Sequence, residues 1–149
     1  MSDNSNNKIT RVYCCGVFDM CHLGHMKLFE KIVKSFDKPI HLIVGVHSDK
    51  TVESYKRTPI INEKFRVETV KLCKYVDEVW EDANLFVSEE FCLANNLDCV
   101  IIGEEYKNNK DIIWYHGPIK LGIHKYISRF EELSTTVIIK KIISQEHKN

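Results

Sequence analysis

The chain lacks a net charge: 21 lysine and arginine residues balance 21 aspartate and glutamate residues among 149, and the pI is near 7.0. With no excess of either sign, no broad field draws it toward nucleic acid or anionic lipid, and neither is expected as a partner. It also lacks any apolar run approaching the ~18 residues that a membrane span needs. Met1 to Lys8 is rich in Asn and Ser and has no apolar core of the signal-peptide kind. Secretion and membrane insertion are therefore not expected. None of the six cysteines (Cys14, Cys15, Cys21, Cys73, Cys92, Cys99) forms a C-x-x-C pair, and several sit in apolar runs where cysteine acts as a small hydrophobe. They read as reduced thiols of a cytoplasmic protein. There is no internal repeat, low-complexity tract or linker. What remains is a small, neutral, ligand-binding domain, large enough to bury roughly 70% of its unfolded surface. Residues 9–144 are expected to form that domain, with residues 1–8 disordered and 145–149 frayed.

Short β-branched apolar runs alternate with amphipathic stretches, which predicts an α/β fold with a central parallel sheet covered by helices on both faces. Arg11 to Cys15, His41 to Val46 and Asp98 to Ile102 read as buried strands, and Glu78 to Trp80 as a weaker one. Met26, Phe29, Ile32 and Val33 predict a helix that begins in the His22-Leu23-Gly24-His25 turn and ends near Ser35. Phe65, Thr69, Val70 and Cys73 predict a second, with Asn62 as its N-cap. Ser88 is expected to cap a third and Ser134 a final one. Gly117 and Pro118 interrupt Asp111 to Leu121, so that stretch is left open.

Chemistry concentrates at Gly16-Val17-Phe18-Asp19-Met20-Cys21-His22-Leu23-Gly24-His25, between the first strand and the first helix. Gly24 allows close backbone approach, the free N–H groups of the helix start favour an anion, and two imidazoles flanking that glycine can donate to phosphate oxygens. Facing one phosphate, they would stabilise charge that builds during attack. Ser134, Thr135 and Thr136 offer a second helix start, read first as ordinary capping, with Arg129 as a fork-shaped phosphate donor. Lys56 and Arg57 follow the second strand, where loops of open α/β sheets reach ligands, although a solvated pair reads equally well. Arg66 is placed either at the surface or toward ligand.

In this order and spacing, GVFDMCHLGH, the LIVGVHSD run at 42–49, Tyr55-Lys56, INEKFR at 61–66, YVDEVW at 75–80 and RFEELSTT resemble the CTP-dependent cytidylyltransferase family. The likeness is greatest to choline-phosphate and ethanolamine-phosphate cytidylyltransferase catalytic domains. The resemblance, which runs from Arg11 to Ile143, implies a Rossmann-like nucleotidyltransferase fold. In it the phosphate of a phospho-alcohol attacks the α-phosphate of CTP and expels pyrophosphate, assisted by Mg²⁺, with no covalent enzyme intermediate. Carried over by position, His22 and His25 would steady the triphosphate, and Lys56 would bridge the two reacting phosphates. Gly16, Val17, Phe18, Asp19 and Gly24 would shape the nucleotide turn, while Arg129, Ser134 and Thr135 would hold the outer phosphates. Cys15, Leu85 and Tyr115 would face the alcohol. The resemblance also implies a homodimer. With no long amphipathic helix following Ile143, lipid activation is not expected.

The departures lie at the alcohol end. Cys15 stands where the choline enzymes usually carry Asp, and Leu85 where an aromatic residue helps cage the ammonium. Glu104 and Glu105 replace paired aspartates, and Phe130 and Glu132 enlarge the second signature. Two alternatives follow: a glycerol-3-phosphate cytidylyltransferase, or a degenerate nucleotide-binding module without turnover.

Overall fold

The computed structural model describes residues 7–148, so most of the 1–8 segment and the last residue of the 145–149 tail lie outside the described residues. Chain order is β1 (Thr10–Gly16), a 3-10 turn (Asp19–Cys21), α1 (Leu23–Lys34), β2 (Ile40–Val46), α2 (Asp49–Glu53), α3 (Glu63–Lys71), β3 (Glu78–Trp80), α4 (Glu89–Ala94), β4 (Cys99–Gly103), α5 (His116–Leu121), β5 (His124–Ile127) and α6 (Thr135–Glu146). All five strands are parallel, in the order β3-β2-β1-β4-β5. The α/β expectation is met.

Strand alternation divides the core between the two faces. Val12 and Cys14 point into one cluster with Phe29, Ile32, Leu42, Val44, Val67 and Val70. Tyr13 points into the other, with Ile43, Val87, Cys92, Val100 and Ile102. Burial on both sides explains why the central strands read as near-continuous apolar runs. The expected caps form: the side-chain oxygens of Asn62, Ser88 and Ser134 accept the N–H groups of Phe65, Phe91 and Val137. Asp98 precedes β4 and ties the start of β1, accepting from the Arg11 N–H at 2.9 Å and from Lys8 Nζ at 2.9 Å.

Three features depart from the sequence reading. The edge strand β5 escaped it because His124-Lys125-Tyr126 is short and half polar. The five-residue α2 follows Ser48, whose hydroxyl accepts from the Thr51 N–H at 3.1 Å. The 111–121 stretch is a 3-10 turn (Lys110–Tyr115) continuing into α5. Pro118 is accommodated in the first turn of α5, where a missing N–H costs little, and a side chain at Gly117 would collide with the backbone of Val87 to Glu89. Among the described residues no helix is long and apolar enough to cross a membrane.

Strand order reverses between β1, which leads to β2, and β4 on its other side. In open parallel sheets the crevice beyond the carboxyl ends at such a point receives ligands. Cys14, Cys15, Gly16, Ile101 and Gly103, from β1 and β4, line a cleft there of about 280 Å³.

Candidate active site

The turn after β1 is conformationally costly. Phe18 (φ 53°), Met20 (φ 60°) and Cys21 (φ 26°) all occupy the left-handed half of backbone space, at roughly 1–3 kcal/mol each for side chains of this kind. Packing and polar clamps hold it. Phe18 is buried against Phe29, with ring centroids 5.2 Å apart, and against the edge of His25 at 5.5 Å. The buried Asp19 carboxylate accepts the N–H groups of Ile60 and Ile61 at 2.8 and 2.9 Å. Arg66 is fully buried: Nη1 donates to the carbonyls of Val17 (2.7 Å) and His47 (2.9 Å), Nε to that of Ile61 (2.9 Å), and Nη2 to Asp49 Oδ1 (2.8 Å). It therefore occupies neither of the positions expected for it, surface or ligand. Its guanidinium fastens the turn to α2 and α3.

This clamped turn fixes the two imidazoles. His22 is the N-cap of α1, its Nδ1 accepting the Gly24 N–H at 3.0 Å, and His25 Nδ1 accepts the His22 N–H at 3.2 Å. Because each Nδ1 is an acceptor, the ring proton of each neutral imidazole sits on Nε2. The rings lie 4.0 Å apart. His22 Nε2 is 3.3 Å from Thr135 Oγ1, whose hydroxyl donates to the Asp19 carbonyl at 3.2 Å. Burial pulls the His22 pKa down, with a further push from Arg129. Burial lowers that of His25 to about 3, aided by His22, Arg129 and Lys56 and opposed by Asp19. Both rings are thus neutral N–H donors near pH 7.

Gly24 lets two helix starts meet, since a Cβ there would lie 2.8 Å from the Leu133 carbonyl and 2.7 Å from the His22 ring. The start of α6 consequently closes the same cleft, bringing Arg129, Ser134, Thr135 and Thr136 to its wall. Lys56 and Arg57 line it from the loop after α2. The Lys56 pKa is lowered by burial and then by Arg57. Among the described residues neither Lys56 nor Arg129 pairs with a carboxylate, so both cations remain available to an anion.

Part of the lining is aromatic, and Lys56 Nζ lies 5.6 Å from the centroid of one of its rings, Tyr55. Tyr55, Tyr106, Trp114 and Tyr115 line the cleft, with centroids 5.0 Å apart for Tyr55–Trp114, 6.2 Å for Tyr106–Trp114 and 5.3 Å for Tyr106–Tyr115. Cys15 Sγ lies 4.0 Å from Tyr115 Oη. Burial pushes the Cys15 thiol up to about 11, so it remains uncharged.

The cleft thus gathers Cys15, Gly16, Val17, Phe18, Asp19, His22, Gly24, His25, Lys56, Tyr115, Arg129, Ser134 and Thr135. Leu85 is half-buried and does not line it. Four lining residues were not singled out from the sequence for the roles they take here. Tyr55, Tyr106 and Trp114 come from separate segments and share no spacing signal, and His47 sits in an apolar strand end.

Donors of two helix starts and cations without carboxylate partners meet at a parallel-sheet switch point, an arrangement that in open α/β sheets suits an anionic ligand. Comparison with known proteins narrows the class. The model of the cytidylyltransferase-like family matches residues 13–143, and the chain belongs to that family. It is 35% identical over 146 residues to the ethanolamine-phosphate cytidylyltransferase of Dictyostelium discoideum, covering 96% of this chain and 39% of that protein. It is 40% identical over 134 residues to the choline-phosphate cytidylyltransferase of Saccharomyces cerevisiae, covering 89% of this chain and 31% of that protein. The chain therefore spans well under half the length of these curated relatives. Among solved structures, the lipopolysaccharide core biosynthesis protein from Thermoplasma volcanium GSS1 matches with a TM-score of 0.65 at 27% identity, over 83% of this chain and 100% of that one.

Proposed function

We propose that this domain transfers the cytidylyl group of CTP to the phosphate of an ammonium-bearing phospho-alcohol, phosphocholine or phosphoethanolamine. An oxygen of the alcohol's phosphate attacks the α-phosphorus, the bond from that phosphorus to the β-phosphate oxygen breaks, and pyrophosphate leaves. The chief support is the pair of neutral imidazoles, whose Nδ1 atoms are occupied by backbone N–H groups and whose Nε2 donors belong to one cleft with Lys56 and Arg129. Such preorganised donors favour the charge that accumulates on the α-phosphate in the transition state. Lys56 would neutralise the approach of two anions, and Arg129 with the α6 start would hold the outer phosphates. The aromatic wall suits a cationic alcohol, since aromatic faces attract ammonium groups. Glycerol-3-phosphate would leave that wall without a partner.

Mg²⁺ is proposed to arrive on the triphosphate. Among the described residues no three His, Cys, Asp or Glu side chains converge as a metal cage, and Mg²⁺ commonly keeps waters and phosphate oxygens rather than a full protein shell. Bound there, it would neutralise triphosphate charge. A cytoplasmic homodimer belongs to the same reading, and sedimentation at twice 17.4 kDa tests the dimer.

The deciding experiment measures pyrophosphate release with Mg²⁺, each nucleoside triphosphate, and phosphocholine, phosphoethanolamine or glycerol-3-phosphate. Product is expected from CTP with an ammonium-bearing alcohol. Product from glycerol-3-phosphate alone would reassign the alcohol. Absence of product from all three would leave a nucleotide-binding module, the reading that Phe130 and Glu132 in the second signature favour.

A further inference from the structure

His47 lines the same cleft but is built as the converse of His22 and His25. It is 4% exposed, immediately after β2, and its backbone is tied at both ends: its N–H donates to the Gly16 carbonyl at 3.0 Å and its carbonyl accepts from Arg66. Its Nδ1 lies 2.9 Å from the Ala83 carbonyl. A carbonyl oxygen can only accept, so Nδ1 carries the hydrogen and Nε2 presents a lone pair. Burial lowers the ring's pKa, against the Ala83 hydrogen bond and with help from Lys56 and Arg66, which keeps it neutral. Among the described residues no hydrogen bond reaches Nε2. Phosphate oxygens offer no proton to such an atom, so this acceptor suits an N–H or O–H donor, either the ammonium of the alcohol or a ribose hydroxyl or base amine of the nucleotide.

Resting on the cytidylyl-transfer reading, we propose that His47 Nε2 accepts a hydrogen bond from the ammonium of the phospho-alcohol, making His47 a specificity-determining residue that favours phosphoethanolamine over phosphocholine. A primary ammonium carries N–H donors; a trimethylated one carries none. The aromatic wall attracts both cations without counting N–H groups, whereas the cleft-lining Glu105 carboxylate can, like His47, also accept from a primary ammonium. Cys15 adds no charge that could distinguish them. An unpaired, preoriented acceptor does distinguish them, because only the donor-bearing substrate satisfies it.

The test compares kcat/KM for phosphoethanolamine, its N-methyl and N,N-dimethyl forms, and phosphocholine, in the wild-type chain and two variants. Wild-type values are expected to fall along that series. His47→Asn keeps a donor near the Ala83 carbonyl but removes the distal acceptor. It should lower the phosphoethanolamine-to-phosphocholine ratio about ten- to a hundredfold, the scale of one hydrogen bond to a charged group. His47→Gln, which can place an amide oxygen near the old Nε2 position, should restore much of it. The ratio is independent of how much protein folds. A ratio unchanged in His47→Asn, values that rise along the wild-type series, or a raised KM for CTP shared by both alcohols would overturn the assignment. Absence of product from every alcohol in the wild type would instead overturn the transfer reaction itself.

Discussion

At the scale of single residues, backbone amides decide what each imidazole can do. His22 and His25 spend Nδ1 on N–H groups of the α1 start, which leaves Nε2 as the donor of each ring, that of His22 beside Thr135 Oγ1. His22→Ala or His25→Ala is expected to lower kcat at least ~10²-fold, as for loss of a preorganised transition-state donor. Single-turnover rates on protein with unchanged circular dichroism would check this, and near-normal turnover in both variants would remove the phosphate role. Lys56 lines the cleft after α2 and pairs with no carboxylate among the described residues. Lys56→Ala should therefore lower kcat/KM sharply while shifting stability by no more than about 0.5 kcal/mol. A parallel loss of rate and melting temperature would mark a structural lysine instead. The uncharged Cys15 suggests a gain: Cys15→Asp supplies a counter-charge beside Tyr115. It should raise kcat/KM for phosphocholine about fivefold, corresponding to roughly 1 kcal/mol of charge pairing.

At the scale of elements, the site depends on a strained turn held from a distance. Arg66 on α3 serves three carbonyls and one carboxylate with no exposure of its own. Arg66→Met would strand these acceptors, and a loss of about 3 kcal/mol or more is expected from the urea midpoint at constant slope. Arg66→Lys should recover little of it, because one ammonium cannot span four acceptors in a planar fork. A variant within 1 kcal/mol of wild type would show that water replaces the clamp. This role was not legible in the sequence, since an arginine in a helical window is ordinarily solvated. The junction itself was legible, because an apolar strand, a glycine-containing turn and helical spacing meet within a few residues. The caps at Asn62, Ser88 and Ser134 were equally plain. Leu85 misled because sequence order supplies a position along the chain, whereas the aromatic wall is assembled from segments around Tyr55, Tyr106 and Trp114.

At the scale of the whole molecule, enclosing neutral imidazoles makes the fold acid-sensitive. The folded pKa of His25 is about 3, against an ordinary histidine value of 6.5, and those of His22 and His47 move in the same direction. As pH falls through 6.5 the unfolded chain takes up protons that the native state refuses, so the unfolded state binds more and stability declines. The contribution from His25 is fully present above about pH 6.5 and is lost progressively toward pH 3. Melting temperatures are expected to drop between pH 7 and pH 4.5, with a shallower drop in His25→Gln, which removes one titrating ring. A bound triphosphate should act in the opposite sense, because anionic oxygens beside His22 and His25 favour their protonated forms and narrow the gap to the unfolded value. CTP should therefore flatten the profile beyond its constant stabilisation at neutral pH. A slope indifferent to both CTP and His25→Gln would place the acid-sensitive groups elsewhere and detach the imidazole pair from the phosphates.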